Sequence, residues 1–391
     1  MNTSIIWVTF ILSYSILACS RREVADGTQH TSQLQWRVDT LDLIPPKGQL
    51  VDSYVHPKVF QEDGKPYLAM YNFATYRIEA FNLADKTRTL TVPLHDQART
   101  SIDPSTQSRD VSHPRDFYPI SSDSILVFSV YQAYLINGKG QVYKQIELRG
   151  TNLDSTVASA YHINPPIRSS QYYDRSSNIA YLRVFNRFLA PQEGPYKQSI
   201  IAALDLMKGT IDTLPIRVPK FFIKSDALYD YNSLFPEMLT ADRRLIYNFP
   251  VSSSIFLYDL ESGKTTEIKA NSKHTANEGK PIPIHVKHND VEARFKQLSR
   301  DVNFFAPLHD PYRNLYYRVH RGERPELLEE QTPPHFYLTV FDSNWNILEE
   351  IPMGATKFFT PCVAPDGLLL LPAPQTYTSR LPLVRFVFDR H

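Results

Sequence analysis

Cysteine is almost missing from this chain: Cys19 and Cys362 are the only two among 391 residues. So low a count excludes a disulfide-stapled scaffold and a thiolate metal cluster. An excess of charge of either sign is missing as well. Lys and Arg total 42 against 41 Asp and Glu, a net charge of +1. Phosphate binding needs clustered, unpaired cations, so no nucleic-acid partner is expected. Helical periodicity is scarce too, and beyond the N-terminal apolar run only residues 291–299 suggest a short helix. Aromatics are abundant instead, with 23 Tyr and 22 Phe against 5 Met. Rings of this kind pack well on pleated sheets, and an all-β fold is the first expectation.

The first residues form an uncharged apolar run over 5–18, the length of a signal-peptide core and too short to span a bilayer comfortably. Ile16, Leu17 and Ala18 stand directly before Cys19. That order resembles the bacterial lipobox, in which a signal peptidase cuts ahead of a diacylated cysteine. Residues 1–18 are therefore expected to be a lipoprotein signal peptide, Cys19 the lipidated residue, 19–33 a tether and 34–391 the folded domain. An uncleaved anchor or a plain secretory signal is the alternative. With Cys19 lipidated, no intramolecular disulfide remains possible, and Cys362, in an apolar stretch, is expected to be a small core residue.

The remainder of the chain repeats. A polar turn followed by a short apolar strand recurs at Asp63, Asp123, Ser177, Asp242, Asn314 and Asp366, at intervals of 52 to 72 residues. Behind each such strand runs a second, alternating strand, and five of the six units continue through a tight polar turn into a third. The sixth unit ends at His391 without that outer strand. Residues 34–41 alternate in the same way and belong to no other unit, so they can complete it. An innermost strand before each turn brings every unit to four strands. The expected fold is an all-β, six-bladed β-propeller in which an N-terminal strand closes the last blade and removes an open sheet edge. A large β-sandwich or a pair of barrels would also give short strands, but neither requires this order six times.

In such a blade the connections after the second and fourth strands share one face. All the long segments fall there: 186–198 and 321–335 within blades, and 95–112, 149–166, 219–234 and 271–300 between them. Loops of that length crowded on a rigid scaffold mark a binding face. Three blades enter their inner strand from a histidine, His56, His113 and His162, and Arg115, Arg168 and Arg187 lie close by in sequence. Repeat geometry would gather these residues at the channel mouth as candidate ligand-binding groups. Imidazoles there could ligate a metal, His with Arg could hold a carboxylate or sugar, or each ring could simply cap its own blade. No metal and no cofactor is expected. His274, His285 and His288 fall in a polar linker and are expected to be solvated.

Catalytic signatures are wanting. Sialidase-type Ser-x-Asp-x-Gly-x-Thr-Trp turns, the repeated Trp of quinone-dependent propellers, a Gly-x-Ser-x-Gly elbow, a phosphate loop and a His-Glu-x-x-His pair are all absent. The leading expectation is a monomeric binding or interaction module for a glycan, peptide or envelope protein. The competing one is an envelope polysaccharide hydrolase or lyase acting at the channel mouth.

The lipobox, the six degenerate units, and the stretches His309-Asp310-Pro311-Tyr312-Arg313-Asn314-Leu315-Tyr316-Tyr317-Arg318 and Val363-Ala364-Pro365-Asp366-Gly367-Leu368 together resemble the Bacteroidota lipoproteins grouped as domain of unknown function 4221. The resemblance extends over nearly the whole mature chain. It implies a lipid-anchored protein of a Gram-negative envelope, and Ser20 suits outer-membrane sorting. It carries over no activity and no site residue.

Overall fold

The computed structural model describes residues 34–45, 53–94, 114–129, 132–148, 171–183, 199–222, 227–229, 236–283, 291–324, 334–354, 359–372 and 380–390. The expected signal peptide, Cys19 and the tether lie outside them. Six antiparallel sheets form the ring of a β-propeller.

Strand β1 (Leu34–Leu43) precedes blade 1, which comprises β2 (Tyr54–Glu62), β3 (Lys65–Asn72), β4 (Arg77–Asn82) and β5 (Arg88–Pro93). Blade 2 comprises β6 (Asp116–Ser121), β7 (Ser124–Phe128), β8 (Gln132–Ile136) and β9 (Val142–Glu147). Blade 3 follows with β10 (Gln171–Asp174), β11 (Ile179–Arg183), β12 (Ile201–Asp205) and β13 (Thr210–Thr213). The short β14 (Ala227–Leu228) leads to blade 4, made of β15 (Glu237–Ala241), β16 (Arg244–Asn248), β17 (Ile255–Asp259) and β18 (Thr265–Ile268). Next come β19 (Ile282–Pro283), which pairs β14, and helix α1 (Val291–Arg300).

Blade 5 departs from the plain four-strand pattern. Its inner position is divided between β20 (Asn303–Phe304) and β21 (Leu308–Asp310), which both pair β22 (Leu315–Arg321), and β23 (Phe336–Phe341) and β24 (Ile347–Gly354) complete it. Pro307, without an N–H to give the ladder, lies in the break. Blade 6 is β25 (Phe359–Ala364), β26 (Gly367–Pro372) and β27 (Leu381–Arg390), with β1 as its outer strand in unbroken register from Leu34 opposite Arg390 to Leu43 opposite Leu381.

One local device shapes many of the hairpins. An Asp or Asn ends a strand, its side chain accepts backbone N–H groups two and three residues on, and a residue with positive φ starts the next strand. Asp310 accepts from Tyr312 (2.9 Å) and Arg313 (3.1 Å), and Asn314 follows at φ 52°. Asn72, Asn82, Asp205 and Asp259 act alike, ahead of Tyr76, Lys86, Gly209 and Gly263. Side chains that mimic a turn and tolerate the left-handed region are the physical reason Asp, Asn and Gly mark the repeats. At Gly140, with φ 78°, a Cβ would lie 1.9 Å from the Pro93 carbonyl oxygen, so the blade 2 hairpin can sit against blade 1 only with glycine there.

Apolar side chains from facing sheets fill the seams between blades. Leu34 packs with Phe305, Leu338 and Leu368 in the seam of blades 5 and 6, and Leu41 and Leu43 pack with Tyr54, Leu68 and Leu369 in the seam of blades 6 and 1. A fully buried leucine contributes roughly 1.5–3 kcal/mol. Removing β1 therefore opens two seams as well as one edge. A chain starting at residue 45 is expected to melt at least about 10 °C below one starting at residue 33. Matching melting curves would show that closure by β1 contributes nothing.

Candidate functional site

All inner strands run in one direction, away from the face that carries the connections between blades and toward the hairpin face. At the connection end they begin with polar residues buried in blades 2, 3 and 4: Asp116, Gln171 and Glu237. Between the six inner strands lies an axial cavity of about 370 Å³, to which every blade contributes. Its wall is made mainly of prolines, aromatics and aliphatic groups, including Pro57, Pro119, Tyr118, Tyr172, Met238 and Val363.

His56 lies on this wall because β2 is irregular. The β2/β3 register steps from Val55 opposite Tyr71 to Lys58 opposite Ala69, leaving His56 and Pro57 against Met70 alone. This is a bulge, and His56 occupies it with φ 55°. A bulge of this kind re-aims a side chain, and His is among the residues that tolerate the left-handed region. Burial lowers the His56 pKa, opposed by the nearby Asp116 carboxylate, so the imidazole is held toward its neutral form.

Two residues on, Lys58 bridges blades 1 and 2. Its Nζ lies 3.2 Å from Oδ1 of Asp116 and 4.0 Å from the centre of the Tyr118 ring. Asp116 is fully buried and also accepts the Phe117 N–H at 2.9 Å. The Tyr118 hydroxyl donates to the Gln171 carbonyl, linking blade 2 to blade 3. Near the hairpin end the wall holds Arg175 and His309. His309 stacks on Tyr316 with centroids 4.8 Å apart, and burial lowers its pKa. Cys362, also on the wall, is buried, and its thiol is pushed up to about 12. A thiol so protonated is a poor nucleophile.

Of the groups expected at the mouth, His56 is on the wall. Arg115 is half-buried beside Asp116, and its N–H continues the β6/β7 ladder by donating to the Phe128 carbonyl at 2.8 Å. His113, His162, Arg168 and Arg187 lie outside the described residues. Among the described residues no group of His, Cys, Asp or Glu is arranged to hold a metal ion. Sequence reasoning missed Lys58, Asp116, Arg175 and His309. The available signal was Asp116, an acid opening a strand otherwise made of apolar residues.

His274 is exposed, in line with expectation, and its ring is also held by stacking. Its ring stacks on Tyr337 at 5.1 Å, and Tyr337 stacks in turn on the buried His320. Burial, with Arg318 and His274 nearby, holds the His320 pKa well below its ordinary value. Beneath these rings Arg318 is fully buried, donating to the carbonyls of Ser253 and Ala270 between the Phe304 and Phe341 rings. This polar seam of blades 4 and 5 is structural and lies off the axial cavity.

These features define a six-bladed propeller with a predominantly apolar axial cavity that holds a few fixed polar groups. The chain belongs to the family described as domain of unknown function (DUF4221), whose model matches residues 99–352. A crystal structure of a member of that family from Bacteroides vulgatus is 18% identical, with a TM-score of 0.68 over 92% of this chain and 99% of that one. A Bacteroides fragilis protein described as exported is 9% identical, with a TM-score of 0.54 over 94% of this chain and 98% of its own. No curated protein matches the chain.

The Lys58–Asp116 pair permits a direct test of the cavity wall. Lys58→Met removes the cation beside a buried carboxylate, and urea unfolding is expected to show a loss of about 3–5 kcal/mol. Adding Asp116→Asn should restore at least half of it. A loss in the single variant below about 1 kcal/mol would mean that other groups hold the Asp116 charge.

Proposed function

We propose that the protein is an envelope-anchored binding module that receives part of a glycan, peptide or envelope protein at the connection-bearing mouth of its axial cavity. The observation that carries this reading is one cavity built by all six blades, with His56 aimed onto its wall from a bulge. Its volume is at the small end of ligand sites, which are typically about 300–1,000 Å³, apolar in the main, with a few placed polar groups. That suits a single sugar ring or side chain. The neutral His56 offers both a donor and an acceptor, and the Lys58–Asp116 pair sets the polarity beside it.

The address rests on the lipobox-like residues before Cys19. The similarly folded B. fragilis protein is described as exported, which agrees with it. Among the described residues no helix is long and apolar enough to cross a membrane. Metabolic labelling with a clickable palmitate is expected to mark the wild-type chain and to spare Cys19→Ser. Equal labelling of both would remove the anchor.

Val59→Trp should fill the cavity, since Val59 lies on its wall, and leave the melting temperature within a few degrees. Captured glycans and envelope proteins, read by glycan array and by pull-down from envelope extract, are expected to be lost in the variant. Unchanged capture by folded Val59→Trp would put the binding site elsewhere. Turnover of any arrayed polysaccharide would favour the hydrolase or lyase reading instead.

A further inference from the structure

On the opposite, hairpin-bearing face, a groove of about 660 Å³ opens between blades 3 and 4. Its floor is aliphatic: Ile179, Ala203, Leu214 and Leu260 are each only half-buried and pack against the seam core beneath. Three carboxylates stand on the lining, Asp174, Asp242 and Glu261, against one cation, Arg243. That cation lies 3.5 Å from Glu261, and both are exposed. Asp174 accepts from Ser176 N (2.9 Å), Ser176 Oγ (2.7 Å) and Ser177 Oγ (2.9 Å), and Asp242 accepts from the Tyr316 hydroxyl at 3.4 Å. A carboxylate has about four acceptor positions, so both keep capacity.

A second, independent feature points to a ligand. Tyr181 is 2% exposed, lines the groove, and its hydroxyl makes no hydrogen bond among the described residues. Burial and the Asp174 charge push the phenol up to about 12, so it stays neutral. The hydroxyl is not sealed from the groove, and a ligand group placed there can bond it directly.

We propose that this groove docks a lysine or arginine side chain of a partner protein, the aliphatic stem on the floor and the cationic head among Asp174, Asp242 and Tyr181. A long apolar stem with a charged end matches the floor and rim together. A neutral sugar would leave the rim's net negative charge unused. In an ethanolamine lipid headgroup the phosphate beside the ammonium would face the same carboxylates. The site is separate from the axial cavity and stands or falls independently of it.

The test uses the full-length chain in mild detergent and an array of twelve-residue random peptides whose central residue is fixed as Lys, Arg, Leu or Glu. Lys- and Arg-centred peptides are expected to bind, and binding should weaken in 0.5 M NaCl, where screening is short-ranged. Combining Asp174→Asn with Asp242→Asn should weaken it about tenfold, with charge-assisted bonds lost. Asparagine keeps the main local geometry, since its single oxygen can still accept both Ser176 bonds at position 174 and it tolerates the φ of 51° at Asp242. Tyr181→Phe should cost about threefold. Val59→Trp should bind these peptides like wild type. The proposal is overturned by absent peptide binding, by equal binding of Leu- or Glu-centred peptides, by indifference to the Asn pair, or by uptake on phosphatidylethanolamine vesicles in place of peptides.

Discussion

The pairing of β1 with β27 is the constraint on which the rest depends. Each blade buries one face against each neighbour, and that arrangement is complete only if the first and last blades also meet. A ten-residue antiparallel ladder between the two ends of the folded chain meets this condition. Its side chains then enter both flanking seams, Leu34 on one side and Leu41 with Leu43 on the other. An ion pair also crosses the β1/β27 ladder. Arg385 binds Asp39 through two bonds of 2.7 Å and also contacts Asp366, tying the closing strand to the hairpin of its own blade. The pair is partly exposed and adds little energy by itself. Its geometry opposes the register slips that a long ladder would otherwise tolerate.

Closure also explains why buried charge collects in particular seams. Arg318 sits in the middle of blade 5 and donates to carbonyls at Ser253 and Ala270 in blade 4. Desolvation pushes its pKa down to about 9, which shows how hostile the site is to the charge. A leucine would avoid that penalty but would leave two buried carbonyls without donors. The guanidinium binds both at once and stacks on Phe304 and Phe341, so it holds the start of the long blade 4 to blade 5 connection in one place. At the far end of that connection Arg321 donates to the carbonyls of Leu298 (2.7 Å) and Asp301 (2.8 Å), fixing the close of α1.

What could be read from the sequence divides along the same physical line. The hairpins were legible because a side chain that bonds its own turn leaves a composition at a fixed place: Asp205 before Gly209, Asp259 before Gly263, Asp310 before Asn314. The outer strand of the last unit was legible because a missing element in a repeat has to be supplied by something. Lys58 with Asp116, Arg318 with the Ser253 and Ala270 carbonyls, and Tyr181 in its groove were not legible. Each owes its role to a partner on another strand or an unfilled space, and repeat logic aligns equivalent positions without saying what the seams place opposite them. His56 was found for a partial reason. Its recurrence ahead of an inner strand drew notice, whereas its aim onto the cavity wall comes from a bulge that no spacing announced. His274 is exposed, as its polar linker implies, but its stack on Tyr337 was not legible because that partner stands on another strand.

The two candidate sites differ in how they engage the ring. A ligand in the axial cavity touches strands from every blade, so its binding free energy would be lost whenever the ring opens at any seam. By linkage it would stabilise the closed propeller by RT ln(1 + [L]/Kd), about 2.7 kcal/mol at a hundredfold excess over Kd. A side chain in the groove of blades 3 and 4 spans a single seam. It adds resistance to opening there and none between blades 6 and 1. The axial site is thus coupled to the integrity of the whole fold, and the groove only to its own pair of blades. A propeller with one site on each face can therefore hold two partners without either altering the geometry the other meets, because the sheets between them are packed too densely to transmit small shifts as anything but strain.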